Sequence, residues 1–330
     1  MSRTLATALL REQAADPWRC WIRHAPMRWP GPGAPWVDLA TGTLGGNDGE
    51  PDVLGALLGL RLDDVLYVPP VSPALAAARD RLAVQHAARG TPVLVQLLPG
   101  DARPSSAATS AGLVVVWDLL APVLAGGEAS SARSVELANA QAGDAAVLPL
   151  LPGAMAGERL AALAASLAVA GLTVLQALPL ELGGRDRRTL TESFGDSLSE
   201  ASYLRLFHGE PPSALPVARA AARHNLLPLL PRPLPRPPLR GAANLRVAGA
   251  LASCGELCLL LGEPESRAQA LLRAARFAER EGRDLTALAR DGHLPVLPWL
   301  EGEALQVAAE IAAGGEPELW RQLLSRLQAA

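Results

Sequence analysis

Lysine is absent from this chain of 330 residues, and cysteine is scarce. Arginine alone carries the positive charge, so no ε-amino group is present for Schiff-base chemistry or for the lysine of a phosphate-binding loop. The three cysteines, Cys20, Cys254 and Cys258, are too few for a disulfide framework or a four-thiolate metal site. The five histidines never form an HxH, HxxxH or HExxH arrangement, so the sequence predicts no metal site.

Long apolar runs are also missing. None reaches the roughly 18 residues that a membrane span requires. The apolar run near the N-terminus is too short for a secretion signal and is followed at once by Arg11 and Glu12. We therefore expect a soluble cytoplasmic protein. The net charge of −3 does not by itself indicate a polyanionic partner, and 49% hydrophobic residues can fill a large core.

One strand–helix–strand pattern is complete in the middle of the chain. An apolar run at 145–151 is followed by an alanine- and leucine-rich helical segment at 158–170, which Gly171 ends. A second apolar run occupies 173–180. Apolar runs joined by a helical crossover are typical of parallel strands that are covered on both faces. Pro149 weakens this reading, because proline cannot donate to a central strand ladder.

The same alternation extends over residues 36–230. Strand-like runs begin at Trp36, Asp64, Val93, Leu113, Ala145, Thr173 and Asn225. About seven such units predict an α/β fold, a complete or partial TIM-like parallel β/α barrel. Residues 1–35 are rich in tryptophan, proline and glycine, and we expect an irregular arm that packs over a barrel end or covers a ligand.

A proline-rich segment, residues 231–241, separates this region from a helical tail. Its sequence, PRPLPRPPLRG, predicts a semi-rigid linker. Residues 242–330 are expected to form a small all-α domain. Helices are predicted at 244–261, 266–281, 284–290, 302–313 and 316–327.

In a β/α barrel, a ligand site lies at the carboxyl ends of the strands. The polar residues expected there are Gln96, Asp101, Asp118, Gln176 and Glu181. The candidate ligand-binding residues among them are Gln96, Asp118, Gln176 and Glu181. No two of them have the spacing of a catalytic dyad, so the sequence names no catalytic residue, and structural roles are the alternative. The glycine-rich loop at 41–51 either cradles an anion through its N–H groups or forms ordinary turns.

The segments TPVLVQLLPGD, LVVVWDLLAP and VLQALPLEL resemble the later part of a radical SAM barrel, with the spore photoproduct lyase group the closest. The resemblance covers residues 36–231. That family holds a [4Fe-4S] cluster on a Cys-x3-Cys-x2-Cys loop after the first strand. The corresponding loop here, TGTLGGNDGEP, has no cysteine. The resemblance therefore implies a degenerate barrel that has lost its cluster and its radical chemistry, with no cofactor.

The tail, from NLRVAGALASCGELCLLLGEPESRAQALLRAARF to LPVLPWLEGEALQVAAEIAAGGEPELW, is similar to the helix-hairpin-helix domain of the DNA polymerase X family, such as polymerase beta. In that family the hairpin reads Leu-Pro-Gly-hydrophobic-Gly, and its N–H groups bond phosphate oxygens. Here the two glycine positions hold Trp299 and Glu301. The family's lyase reaction uses a lysine amine, which this chain lacks.

The resemblance and the arginine pattern together give candidate nucleic-acid contacts in the tail. They are Arg267, Arg273, Arg276, Arg280, Trp299 and Gly302. The arginines can line one helix face that contacts phosphates, or they can form a solvated face paired with Glu279 and Glu281. Residues 231–330 contain 12 arginines and 12 acids, a net charge of zero, so the tail as a whole is not basic. Cys254 and Cys258 share a helix face and are predicted to be core residues.

The leading hypothesis is a non-catalytic pseudoenzyme that acts as a binding, scaffold or accessory subunit in DNA repair or another nucleic-acid transaction. Its partner would be a cluster-containing radical SAM homologue or another protein, with no membrane involved. One alternative is a barrel enzyme that acts on a small molecule at Gln96, Asp118, Gln176 and Glu181. Another is a DNA-binding protein that uses the arginine face of the tail.

Overall fold

The structure, a computed structural model, describes part of the chain. The described residues are 66–68, 92–97, 102–104, 113–119, 140–150, 157–179, 213–231, 234 and 242–329, with isolated positions between 77 and 90. The predictions on the arm, the first strand, the loop at 41–51, Asp101 and Glu181 lie outside these residues. The chain divides into two units, Met1–Arg236 and Pro237–Ala330, and the division falls inside the predicted linker.

Five parallel strands form one sheet in the first unit. They are β1 (Leu66–Val68), β2 (Val93–Leu97), β3 (Leu113–Asp118), β4 (Ala145–Leu150) and β5 (Val174–Pro179). Their order in the sheet is their order in the chain, and every neighbouring pair is parallel. Each strand therefore reaches its neighbour through a crossover connection, and the predicted α/β class is confirmed.

Strands β2 to β5 have buried residues on both faces, which explains why apolar and polar residues do not alternate along them. The face that packs against helices carries Val93, Val95, Leu97, Val115, Trp117, Ala146, Leu148 and Leu175. The opposite face carries Leu94, Val116, Ala145, Val147 and Val174, which are also buried.

The predicted strand–helix–strand unit is present as β4, α1 (Glu158–Val169) and β5. Gly171 ends the helix at a φ of +83°, a backbone conformation that favours glycine. Its N–H donates to Ala168 O, and the N–H of Leu172 donates to Leu167 O. This pair of bonds closes the last helical turn and directs the chain into β5.

Pro149 lies inside β4 without interrupting the ladder. The neighbouring strand β3 pairs with β4 only at Ala145–Val147, and the N–H of Leu119 donates to Val147 O at 3.0 Å. Because alternate residues bond to opposite sides of a strand, position 149 bonds on the same side as Val147. The missing N–H of Pro149 therefore lies beyond the end of the β3 pairing.

The last predicted strand, 225–230, is reduced to one bridge. After α2 (Leu215–Arg223), Asn225 turns the chain at a φ of 59°, and Leu227 then pairs in parallel with the first residue of β5. Both the N–H and the carbonyl oxygen of Leu227 bond to residues 173–175 at the start of β5, at 2.8 and 3.0 Å, so position 228 faces away from that strand. The strand prediction was therefore wrong in length, since only Leu227 of this segment pairs with β5.

The second unit is helical. Its helices are α3 (Ala242–Leu260), α4 (Glu265–Arg280), α5 (Leu285–Arg290), α6 (Gly302–Ala312) and α7 (Glu318–Ala329), with a 3-10 turn at Leu294–Val296. All five predicted helices are present, and their ends lie within two residues of the predicted ones.

Helix α3 is the central helix of this unit, since it contacts each of the other four. It is long and apolar enough to span a membrane, with a mean hydropathy of 1.2, and 56% of that window is buried in the protein. Such burial is typical of a core helix, because a central helix is apolar around most of its circumference.

Helices α3 and α4 approach each other closely at Gly255. A Cβ atom at this position would lie 2.8 Å from Leu272 Cγ and 3.1 Å from the Ala268 carbonyl oxygen. Alanines dominate the facing surface of α4, where Ala268, Ala274, Ala275 and Ala278 are buried. Small residues on both helices therefore allow this close packing.

The buried side chain of Asn244 in α3 holds the connection between α4 and α5. Its Nδ2 donates to the carbonyl oxygens of Glu281 and Arg283, both at 2.8 Å. Its Oδ1 accepts from the N–H of Leu285 at 2.9 Å. One amide thus satisfies three backbone groups that the end of α4 and the start of α5 leave without helical partners.

We predict that Gly255→Ala destabilises the helical unit by about 1–3 kcal/mol, because the added methyl group would overlap α4. Chemical denaturation of the full chain would measure the change. Gly282→Ala is the matched control, since a Cβ there meets nothing within 4 Å. Equal stability of Gly255→Ala and Gly282→Ala would contradict the packing described.

Candidate functional site

Three of the four candidate ligand-binding positions share one face of the sheet. Gln96 pairs in register with Val116, and Asp118 pairs with Val147, which in turn pairs with Gln176. Strand alternation places these positions on the face opposite the helices. Positions 118 and 176 are two strands apart, about 10 Å at the usual strand spacing.

The carbonyl group of Gln176 is used within the protein. Its Oε1 accepts from the N–H of Leu230 at 2.8 Å, and the side chain is almost fully buried. This bond holds the segment that follows Pro228, beyond the single bridge at Leu227. Gln96 is fully buried in β2. The contact of Gln176 is therefore structural, and ligand binding by the four residues stays a prediction.

A buried carboxylate that the sequence reasoning missed, Asp144, lies directly before β4. Its Oδ1 accepts from Arg103 Nη2 at 2.6 Å, and its Oδ2 accepts from Trp117 Nε1 and from the N–H of Gln141, both at 3.0 Å. Arg103 also donates to the side-chain oxygen of Gln141. The side chain of Asp144 is 2% exposed to solvent, and that of Arg103 is 11% exposed.

This cluster joins three parts of the unit, because Arg103 follows β2, Trp117 lies in β3 and Asp144 precedes β4. A buried carboxylate is tolerated only when it is paired and hydrogen-bonded, and here both oxygens have partners. Nε of Arg103 is a buried donor without a partner among the described residues. Sequence separations of 27 to 41 residues leave no local motif that would predict the cluster.

Three candidate arginines lie on one exposed face of α4. Positions 273, 276 and 280 follow the spacing i, i+3, i+7, which is one face of a helix. Arg273, Arg276 and Arg280 are exposed, and so is Phe277, which lies among them. We call Arg273, Arg276, Phe277 and Arg280 the arginine face. Within the described residues, the ion pairs of the helical unit involve other arginines.

Arg267 is separated from this face and is used inside the unit. Its Nη2 and Nε contact the carboxylate of Glu303 at 2.5 and 2.8 Å, and its Nη1 contacts Glu263 at 2.8 Å. Arg326 also donates to Glu263. The network therefore connects α4 and the loop before it with α6 and α7. A two-point contact to a carboxylate fixes the guanidinium, so Arg267 has a structural role.

This network changes the pKa values of its carboxyl groups. Hydrogen bonds from Arg326 and Arg267 hold the pKa of Glu263 below its ordinary value, and those from Arg267 do the same for the pKa of Glu303. The carboxylates raise the pKa of the Arg267 guanidinium, with Glu303 contributing most. Because each partner stabilises the charged form of the other, the network stays ionised at neutral pH.

Trp299, in the loop before α6, stacks on Phe277 with ring centroids 5.8 Å apart and an angle of 25° between the planes. Glu281, the residue after α4, accepts from Asn244 through its backbone carbonyl group. Arg283 also contacts Glu281, at 2.9 Å, and holds the pKa of that carboxyl below its ordinary value. The stacking on Phe277 places the indole beside the arginine face.

The connection between α5 and α6 is anchored by three buried leucines, Leu294, Leu297 and Leu300. Gly302 is the first residue of α6 and has a φ of +56°. This backbone conformation favours glycine, because residues with a Cβ atom rarely adopt it. Glu301 precedes it, is exposed, and makes no side-chain cap. An acidic side chain at this helix start disfavours a phosphate there, since the two negative charges would repel.

The two cysteines of α3 are core residues, as predicted. Cys254 and Cys258 are both fully buried, and burial raises the pKa of the Cys254 thiol to about 12. A thiol that stays protonated is a poor nucleophile and a poor metal ligand. No cluster of three or more potential metal ligands is present among the residues that the structure describes.

No family model, curated protein or solved structure matches this chain. The resemblances to a radical SAM barrel and to a helix-hairpin-helix domain therefore stay predictions. A fold class alone does not define an activity, so the function has to be argued from the geometry of the sites.

We predict that Asp144→Asn costs about 3–5 kcal/mol of stability, because the change leaves the buried guanidinium of Arg103 without a counter-charge. The NH2 group of the new asparagine would also replace an oxygen that accepts a hydrogen bond, and would lie next to another donor. Urea denaturation of the full chain is the measurement. Glu158→Gln, an exposed carboxylate in the first turn of α1, is the control. Similar losses in the two variants would contradict a special role for Asp144.

We predict that the helical unit loses stability in acid through its carboxylate network. The pKa values of Glu263 and Glu303 are lowered by folding, so their contribution is complete above the ordinary glutamate value of about 4.3 and disappears as the pH falls through the lowered values. Urea denaturation at a series of pH values would show this loss. Glu303→Gln should reduce the pH dependence.

The control for this experiment is Glu316→Gln, which changes an exposed acid in the connection between α6 and α7. It should leave the pH dependence as it is in the native chain. An unchanged pH dependence in Glu303→Gln would show that the network contributes nothing to acid sensitivity.

Proposed function

We propose that the chain is a non-catalytic nucleic-acid-binding protein, whose helical unit contacts the phosphate backbone through the arginine face. The single observation that carries this proposal is the group of three exposed guanidinium groups, Arg273, Arg276 and Arg280, on one face of α4. The planar guanidinium group of arginine can donate two parallel hydrogen bonds to the oxygens of a phosphate group.

The distribution of charge supports the proposal, although the net charge of residues 231–330 is zero. Several acids of the unit are paired internally with other arginines; they are Glu263, Glu281, Glu303 and Glu318. The positive charges of the arginine face are not among these pairs in the part of the chain that the structure describes. A cluster of cations outside such pairs attracts a polyanion and releases counterions when the polyanion binds.

We propose further that the two units derive from a cluster-free radical SAM barrel and a helix-hairpin-helix domain. Support for the barrel comes from the sequential parallel strand order, which is the order that a β/α barrel requires. Support for the second unit comes from the succession of α5, a short turn and α6 with buried leucines between them. An accessory role beside a cluster-containing homologue fits a barrel without cluster cysteines.

We predict that the protein binds DNA at low salt and that binding weakens steeply as salt rises. Replacing Arg273, Arg276 or Arg280 by glutamine should weaken binding. The slope of log Kd against log salt should fall by about 1 for each phosphate group that the variant no longer neutralises. Fluorescence anisotropy with labelled DNA and the full chain would measure both quantities.

Arg321→Gln is the matched control, because Arg321 is also exposed but is paired with Glu318 on α7 at 2.5 Å. It should change binding little. Native protein that gives a flat titration at low salt would overturn the proposed function. An equal effect of Arg321→Gln and Arg276→Gln would show that only overall charge matters.

A further inference from the structure

An exposed phenylalanine lies within the arginine face. Phe277 exposes 47% of its surface, although a ring of this size is usually buried. It occupies the helix position next to Arg276, and Arg273 and Arg280 lie one turn before and after it. A flat apolar ring between cations combines the two features that bind a nucleotide, a stacking surface for the base and positive charge for the phosphate.

We infer that the arginine face binds single-stranded nucleic acid, with an unpaired base stacked on the exposed side of Phe277. This inference rests on the proposed function and specifies its ligand. In a duplex the faces of the bases are covered by their neighbours, so only an unpaired base can present a face to the ring.

The ring is held in place from behind. Trp299 stacks on it, with ring centroids 5.8 Å apart and an angle of 25° between the planes. At the end of α4, Arg283 contacts the carboxylate of Glu281 and Asn244 donates to its backbone carbonyl group, so the last turn of the helix that carries Phe277 is held to α3. Little freedom remains for Phe277 to lose when a base stacks on it, and a surface that is ordered before binding loses less entropy.

The spacing of the cations suits an extended strand. Arg273 and Arg280 are seven residues apart, about 10 Å along the helix axis, and Arg276 lies between them. Guanidinium groups along this length can follow successive phosphates on both sides of the stacked base. An acidic peptide would meet the same charge but has no base to place on the ring, so the ring favours a nucleotide.

The experiment compares one mixed-sequence DNA strand, labelled with fluorescein, alone and annealed to its complement. The full-length chain is titrated into each by fluorescence anisotropy at the same salt concentration. We expect tighter binding of the single strand. Phe277→Leu should weaken single-strand binding about tenfold, because it removes the aromatic face and keeps an apolar side chain. Phe277→Tyr, which keeps the ring, should bind as the native chain does.

Several outcomes separate the two proposals. Equal affinity for strand and duplex, with Phe277→Leu unchanged and Arg276→Gln weakened, overturns the single-strand inference and leaves phosphate binding intact. No binding to either DNA overturns both. Polyglutamate that competes as well as unlabelled single strand, at equal charge, shows an acidic-protein site and also overturns the inference. An unchanged melting temperature in each variant ensures that the comparison concerns folded protein.

Discussion

The close contact between α3 and α4 is the interaction on which the helical unit depends. Gly255 and the alanines of α4 let the two helices approach closely, and this contact sets the rotation of α4 about its own axis. Ala268, Leu271 and Ala275 are buried, and Arg273 and Phe277, which lie about half a turn away on α4, are exposed. Core packing therefore determines which positions of α4 are exposed in the arginine face. It does not constrain the residue types at those positions, which can be suited to binding.

Arginine has two different roles in this protein, and position decides between them. Arg103 and Arg267 each meet a carboxylate inside their own unit, where the guanidinium connects elements that are distant in sequence. Among the described residues, the arginines of the exposed face take no part in those internal pairs. In a chain without lysine, one residue type thus supplies both internal connections and surface charge, and composition alone cannot separate the two uses.

Much of the fold follows from local sequence pattern. The run at 145–151, the helix that Gly171 ends and the five helices of the tail are encoded by nearby residues, and each has the predicted type. The site depends on long-range contacts instead. The partner of Asp144 is 41 residues away, and Glu303 lies 36 residues after Arg267. The exposure of Phe277 follows from which side of α4 meets α3, which no local motif encodes.

The hydrogen bonds of Asn244 affect how the connection between α4 and α5 opens to solvent. Amide protons in short turns normally exchange with solvent through local openings of small free energy. The N–H of Leu285 instead donates to a side chain of the central helix, and Leu285 is fully buried. We expect the amide proton of Leu285 to exchange only when α3 separates from the turn. Its exchange rate should then report the global opening of the unit rather than the fraying of a helix end.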